Sequence, residues 1–322
     1  MQLAGNRFVI IGRAGMDLYP DPPGTRTEEA VNFFACLGGS SANIGVAITK
    51  LGGSAALVTR VADDAIGRFA CNQLDHYGID RTHVHAEGGD ARNSLALVET
   101  RVEDHQSVIY RNGAADFAMT EEDVTAVDYG AFDALITTGT VFAAEPSRTA
   151  AFAGFEWAKA AGLPLIFDID YRPYTWPSAQ EAAEVYSRAG SMCDIIVGND
   201  VEFGFMAGDY DQGLDKAREL VAQGAKIAVY KMGEDGAVTI TPDGEFRTGI
   251  YRTDALKPTG AGDSFMGGFV SGLADGLDIR DAVLQGSAAA AMVVARVGCA
   301  PAMPTRAELR DFLDGHPGPT VA

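Results

Sequence analysis

Leu163-Pro-Leu-Ile-Phe-Asp-Ile-Asp-Tyr-Arg-Pro-Tyr-Thr-Trp176 sets the fold class. Its first five residues are apolar and short enough for a strand buried on both faces, and acids follow as soon as that run ends, at Asp168 and Asp170. Helical periodicity stands on either side, over 148–161 and 180–189. Outward from there the alternation repeats, with strands predicted at 134–138, 194–197 and 227–230 and helices at 200–206 and 214–223. Strand and helix in regular turn predict an α/β protein with a doubly wound, mostly parallel sheet flanked by helices. Ligands of such sheets bind outside the carboxyl ends of the strands, so the residues just after each strand are the ones to read for chemistry.

Toward the N-terminus the pattern is less regular. A strand at 7–11 runs into a short loop at 12–17, and 18–36 reads as a Pro/Gly-rich turn followed by a strand. Helices at 41–51 and 66–77 flank a strand at 55–61. The apolar runs 94–100 and 107–111, split by a polar stretch, suggest a hairpin. Two separated insertions, about 15–36 and 90–112, then predict a small β-sheet lid on a single domain spanning 1–322. The C-terminal part reads as a hairpin at 237–248 and helices at 262–275, 280–296 and about 305–313.

Composition narrows the class of function. A formal charge of −19, from 44 acidic against 25 basic residues, repels nucleic-acid phosphates and anionic lipid, so neither nucleic acid nor membrane is expected as a partner. Cys36, Cys71, Cys193 and Cys299 form no C-x-x-C pair, and the five histidines form no H-E-x-x-H, which predicts no zinc site and a reducing compartment. The first residues carry neither a basic leader nor a cleavage signal, so a cytoplasmic location is expected.

Pro258-Thr-Gly-Ala-Gly-Asp-Ser-Phe-Met-Gly-Gly268 is the strongest chemical signal. Gly260, Ala261 and Gly262 can present backbone N–H groups at a helix start, an arrangement suited to a transferring phosphoryl group. Asp263 reads either as the base that takes a proton from an attacking hydroxyl or as a helix cap. The stretch is not a Walker A loop, since no lysine follows the glycines, and not a dinucleotide fingerprint, since Phe265 stands where a third glycine belongs.

Other candidates follow predicted strands. Asp17 suits sugar hydroxyls or a surface turn, and Gly38-Gly39-Ser-Ser-Ala-Asn43 suits either close backbone approach to a hydroxylated ligand or a plain loop-to-helix junction. Asp168, Asp170 and Arg172 read as a site flanking phosphoryl transfer or as a mutual ion-pair group. Asn199 and Glu202 have a spacing that organises magnesium, which is also the spacing of a capping box. Lys231 and Gly233 are placed to meet a nucleotide or merely to form a turn, and Arg111 is placed to swing over a substrate.

Gly38-Gly39-x-x-x-Asn43 near the start and Gly260-Ala-Gly-Asp263 near the end resemble the PfkB (ribokinase-like) carbohydrate kinase family over about residues 5–313. The resemblance implies a ribokinase-like sheet with a lid, ATP with Mg2+, and a sugar held by Asp17, Gly39 and Asn43. It further implies Asp263 as base, Gly260 and Gly262 in an anion hole, Asn199 and Glu202 at magnesium, and Lys231 with Gly233 near the nucleotide. Members often dimerise through their lids and some are activated by K+, so a homodimer through the lid and a potassium site are both implied.

Lys257-Pro258 replaces the family's usual Asp-Thr, which puts a cation site using that aspartate in question. The same Lys-Pro, with the intact run 168–176, resembles the branch that phosphorylates 5-dehydro-2-deoxygluconate in myo-inositol breakdown. An acidic sugar then requires a cation for its carboxylate, from among Arg172, Lys257, Arg13 and Arg111. The nearest alternatives are family members acting on fructose, ribose or 2-keto-3-deoxygluconate. A nicotinamide-dependent oxidoreductase lacks the G-x-G-x-x-G it would need after the first strand.

Overall fold

The computed structural model describes residues 2–319 of the chain. In chain order its strands are β1 (Arg7–Ile11), β2 (Gly15–Asp21), β3 (Asn32–Gly38), β4 (Ser54–Ala62), β5 (Val84–Glu87), β6 (Leu95–Val98), β7 (Ser107–Tyr110), β8 (Ala134–Thr138), β9 (Leu165–Asp168), β10 (Ile195–Asn199), β11 (Ile227–Lys231), β12 (Ala237–Thr241) and β13 (Gly244–Thr248). The helices are α1 (Ser40–Lys50), α2 (Ala65–His76), α3 (Glu121–Thr125), α4 (Ser147–Ala160), α5 (Ala179–Met192), α6 (Asp200–Ala207), α7 (Gly213–Ala222), α8 (Ala261–Ala274), α9 (Ile279–Val294) and α10 (Arg306–Gly315).

Nine strands form one sheet in the order β13-β12-β11-β10-β9-β8-β1-β4-β5. All pairs from β11 to β5 are parallel, and the β12–β13 hairpin adds the antiparallel edge. The central strands are apolar along their whole length because helices cover both faces. One face packs Phe142, Phe155, Phe167 and Tyr186 under α4 and α5, and the other packs Ile10, Ile136 and Val197 under α1 and α8. From β1 the chain proceeds to β4 on one side and later to β8 on the other, so the order reverses at β1 and a crevice opens at the carboxyl ends of β1 and β8.

A second sheet, β3-β2-β6-β7, stands apart from the first. It corrects the expectation of a loop at 12–17, because β2 begins at Gly15 and carries Asp17 in mid-strand. A carboxylate at an inward position hid the alternation: Asp17 and Tyr19 are buried while Met16 and Leu18 are half-exposed. The short strand β5 and helix α3 were not predicted either. Each is only a turn or so long and β5 is largely polar.

Candidate active site

Glycine brings the two halves of the site together. Gly267 of α8 lies so close to α1 that a Cβ there would collide with the Cβ of Ala47. At that crossing Asn43, in the first turn of α1, donates from Nδ2 to Oδ2 of Asp263 at 2.9 Å. Asp263 is the third residue of α8, whose N-cap is Gly260 in the left-handed region at φ 86°. A side chain at Gly260 would also meet the Cys299 sulfur at 2.8 Å, so both φ and space demand glycine.

Asp263 is tuned toward neutrality. Burial first, then the charge of Asp170, lift its pKa from the ordinary 3.8 to about 6, against the hydrogen bond from Asn43 and the charges of Arg172 and Arg13. Asp17 lies over Gly38, where a Cβ would collide with its Oδ1. Burial raises its pKa to about 7, while Arg13 opposes the rise and Asp263 adds to it. Gly39 next to it, at φ 95°, turns the chain against the carbonyl of Arg13 and into α1.

The ends of β9, β10 and β11 supply the rest. Asp168 is buried and its pKa stands well above the usual carboxylate value, chiefly through burial, with Lys231 pulling down and Glu202 and Asp170 pushing up. Asp170 adopts φ 37°, unusual for a residue with a side chain, and bonds Nη2 of Arg172 through Oδ1 at 2.7 Å. Its Oδ2 is buried without a partner, as are Oδ1 of Asn43 and Nε of Arg13. Buried polar atoms are nearly always paired, so three such atoms around one crevice mark where a hydroxylated ligand belongs.

Asn199 and Glu202 form the capping box of α6, each side chain bonding the other's backbone N–H at 2.9 and 2.8 Å. Among the described residues no group of three or more His, Cys, Asp or Glu could hold a metal ion. Carboxylate and amide oxygens such as those of Glu202 and Asn199 are hard donors of the kind magnesium and its water shell take. Lys231 extends over the start of α8, with Nζ 3.6 Å from where a Gly262 Cβ would lie and 5.4 Å from the Phe265 ring centre. Gly233, at φ 56°, opens the turn that follows β11.

Two cations meet partners within the chain. Arg111 does not swing over the crevice; it is buried in an ion pair with Asp116, donates to the Thr140 carbonyl at 3.1 Å and lies over the Phe117 ring. Lys257 is 0% exposed, and its ammonium is directed at the carbonyl of Thr259 at 2.5 Å, with Asp17 and Asp263 farther off. Arg13 is different again. It is buried, reaches Ser94 Oγ at 3.4 Å, and has no carboxylate within salt-bridge distance among the described residues. Two shallow hollows, one at the amino ends of β8, β9 and β10 about Asp133 and Asp194 and one about Phe246 and Arg280, contain none of these groups.

The sequence did not point to Asp116 or Ser94, which no motif or periodicity marks. Tyr174, whose ring is exposed near the charges of Arg172, Arg13 and Asp170, lies within the run 168–176, but nothing in the sequence singled it out there. Tyr171 and Trp176 of the same run pack on Tyr186 in the core.

A family model described as pfkB family carbohydrate kinase matches residues 6–306. A 5-dehydro-2-deoxygluconokinase of Photobacterium profundum is 36% identical over 312 residues, covering 95% of this chain and 94% of the relative. One from Geobacillus kaustophilus is 36% identical over 314 residues, covering 96% and 94%. Among solved structures, a double mutant of the fructokinase of Vibrio cholerae O395, bound to fructose, ADP and potassium ion, superposes with a TM-score of 0.84 at 26% identity, covering 97% of this chain and 99% of the other.

Proposed function

The chain belongs to the pfkB family of carbohydrate kinases, and on that basis we propose that it moves the γ-phosphoryl group of ATP to the terminal primary hydroxyl of 5-dehydro-2-deoxy-D-gluconate, giving the 6-phosphate and ADP. The observation that carries the substrate assignment is the 36% identity, over nearly the full length of both chains, to kinases of that name. The charge pattern supports it. Arg13 lies within electrostatic reach of Asp17 and Asp263 and has no carboxylate within salt-bridge distance among the described residues, so a substrate carboxylate completes it, while Arg172 already pairs with Asp170.

Asp17, Gly38, Gly39 and Asn43 hold the sugar hydroxyls. Asp263 takes the proton of the terminal hydroxyl as its oxygen attacks the γ-phosphorus in line and the bond to ADP breaks. A pKa near 6 leaves this base ionised at neutral pH while keeping it a competent proton acceptor. The N–H groups of Gly260, Ala261 and Gly262 and the positive end of α8 receive the charge on the transferring oxygens. Lys231 and Gly233 lie along the nucleotide. Magnesium bound with ATP supplies neutralisation of the phosphates, and Asp168, Asn199 and Glu202 would hold its waters. Potassium does not fit the same loop, because the ammonium of Lys257 already meets the Thr259 carbonyl there.

The small sheet acts as a lid over a single catalytic domain and keeps water from the phosphoryl group. Its outward side is apolar, with Leu18, Leu97 and Val108 in one cross-strand row and Met16, Leu95 and Tyr110 in the next, which supports a homodimer through the lid. No helix among the described residues is long and apolar enough to cross a membrane, and the four unpaired cysteines suit the cytoplasm.

The test is magnesium-dependent ADP release with 5-dehydro-2-deoxygluconate, 2-keto-3-deoxygluconate, fructose and ribose, repeated with Asp263→Ala. Preference for the first sugar, and a loss of about 1,000-fold or more in the variant with an unchanged melting temperature, is expected. Preference for another sugar overturns the substrate, and near-normal turnover of the variant overturns the base.

A further inference from the structure

We propose that Lys257 is a tethered monovalent cation: its ammonium fixes the peptide leading into the anion hole, so this kinase needs no free potassium ion. The proposal rests on the kinase reading but not on the identity of the sugar.

The Lys257 side chain is entirely buried, and its ammonium donates to two main-chain carbonyls, Thr259 at 2.5 Å and Val293 at 3.4 Å. No carboxylate lies within 4.0 Å of it among the described residues. The charged and titratable groups facing it from farther away are Cys299, Cys36, Asp263 and Asp17. A charge held by carbonyl dipoles in the interior is costly, and a methionine of nearly the same shape would avoid that cost. Stability alone therefore does not account for a lysine here. Carbonyl oxygens around a compact monovalent charge are instead the surroundings of a bound alkali ion.

The two carbonyls explain what the charge accomplishes. Val293 belongs to the last turn of α9, at the negative end of the helix dipole; its carbonyl also accepts from the Arg296 N–H at 3.1 Å, and Val294 beside it accepts from the N–H groups of Leu256 and Lys257 at 2.7 and 3.3 Å. Thr259 precedes Gly260, the left-handed N-cap of α8. In a trans peptide the carbonyl and the next N–H point opposite ways, so an ammonium holding the Thr259 carbonyl on one side commits the Gly260 N–H to the other. Lys257 thereby fastens the C-terminus of α9 to the loop that receives the phosphoryl group. It is a positioning residue and does not touch the reactants.

The experiment compares the wild type, Lys257→Ala and Lys257→Met in potassium, sodium and choline chloride at equal ionic strength. Two quantities are read: the melting temperature without substrates, and kcat and KM for the best sugar of the panel. The wild type is expected to give the same melting temperature and rates within about twofold in all three salts. Lys257→Ala should lose about 100-fold in kcat in choline, the scale of losing one oxyanion donor, with a smaller change in KM. Potassium should restore about tenfold of that kcat and raise the melting temperature of the alanine variant only, because the ion takes the place of the ammonium by mass action. Lys257→Met, whose side chain fills the space, should stay slow in every salt.

A wild type that slows about tenfold or more in choline, or gains melting temperature from potassium, overturns the proposal. So does an alanine variant as fast as the wild type in choline. If neither variant folds, the wild-type comparison decides alone. If all four sugars fail as substrates, the melting temperatures still test Lys257 while the substrate assignment falls.

Discussion

The hydrogen bond from Asn43 to Asp263 predicts where the acid limb of the pH–rate profile lies and which way it moves. Deprotonated Asp263 is the active form in the proposed mechanism, so kcat/KM for the sugar should rise with pH through about 6, with a further step near 7 as Asp17 ionises. Asn43 donates at 2.9 Å to the carboxylate and so favours its ionised form. A hydrogen bond to a charged acceptor is worth about 1.5–3 kcal/mol, and one pKa unit is about 1.4 kcal/mol. Asn43→Ala should therefore carry the limb upward by about one to two units, to about 7 or higher. Asp170 acts with the opposite sign, since its negative charge raises the Asp263 pKa and also occupies Arg172. Asp170→Asn should thus carry the limb toward acid. The assay is coupled ADP release at saturating ATP and magnesium between about pH 4.5 and 9, with kcat/KM fitted at each pH for the three proteins. Limbs that coincide, or an Asn43→Ala limb displaced toward acid, would refute the assignment of the observed proton to Asp263.

Two further outcomes follow from the cations and the lid. Arg13→Met should raise KM for the acidic sugar about 10- to 100-fold while leaving KM for ATP nearly unchanged, as loss of one charge-assisted contact would do; equal changes in both would place Arg13 away from the sugar. Val108→Glu with Tyr110→Glu puts charges onto the outward apolar side of β7, and sedimentation equilibrium should show a dimeric wild type and a monomeric variant. A monomeric wild type would sink the lid-to-lid dimer.

The parallel strands were legible because a strand covered on both faces is a continuous apolar run, and β8 falls on the predicted residues. β2 was not, since its alternation passes through the buried Asp17, whose polarity imitates a loop. Asn43 and Asp263 were each visible in a motif, but their bond joins positions 220 apart and no local pattern encodes it. The surroundings of Lys257 were not legible for a related reason. Its partners are main-chain carbonyls, which every residue possesses and no sequence pattern advertises, so it stood with Arg172, Arg13 and Arg111 as one of four candidates for the sugar's carboxylate. Asn199 and Glu202 offered two readings with one spacing, and the geometry realises the capping box at the carboxyl end of β10.

The distance along the chain between Asn43 and Asp263 has a consequence during biosynthesis. At about 5–20 residues per second, a ribosome releases α1 roughly 10–40 s before it begins α8. Through that interval α1 lacks the surface of Phe265, Met266 and Phe269 that covers it in the finished protein, and Asn43 lacks the carboxylate it will orient. A nascent chain can thus possess most of its sheet and still lack Asp263, the base of the proposed reaction. On the proposed mechanism, competence for phosphoryl transfer arrives with the last helices made, and a product truncated before α8 is expected to be inert rather than a wasteful hydrolase.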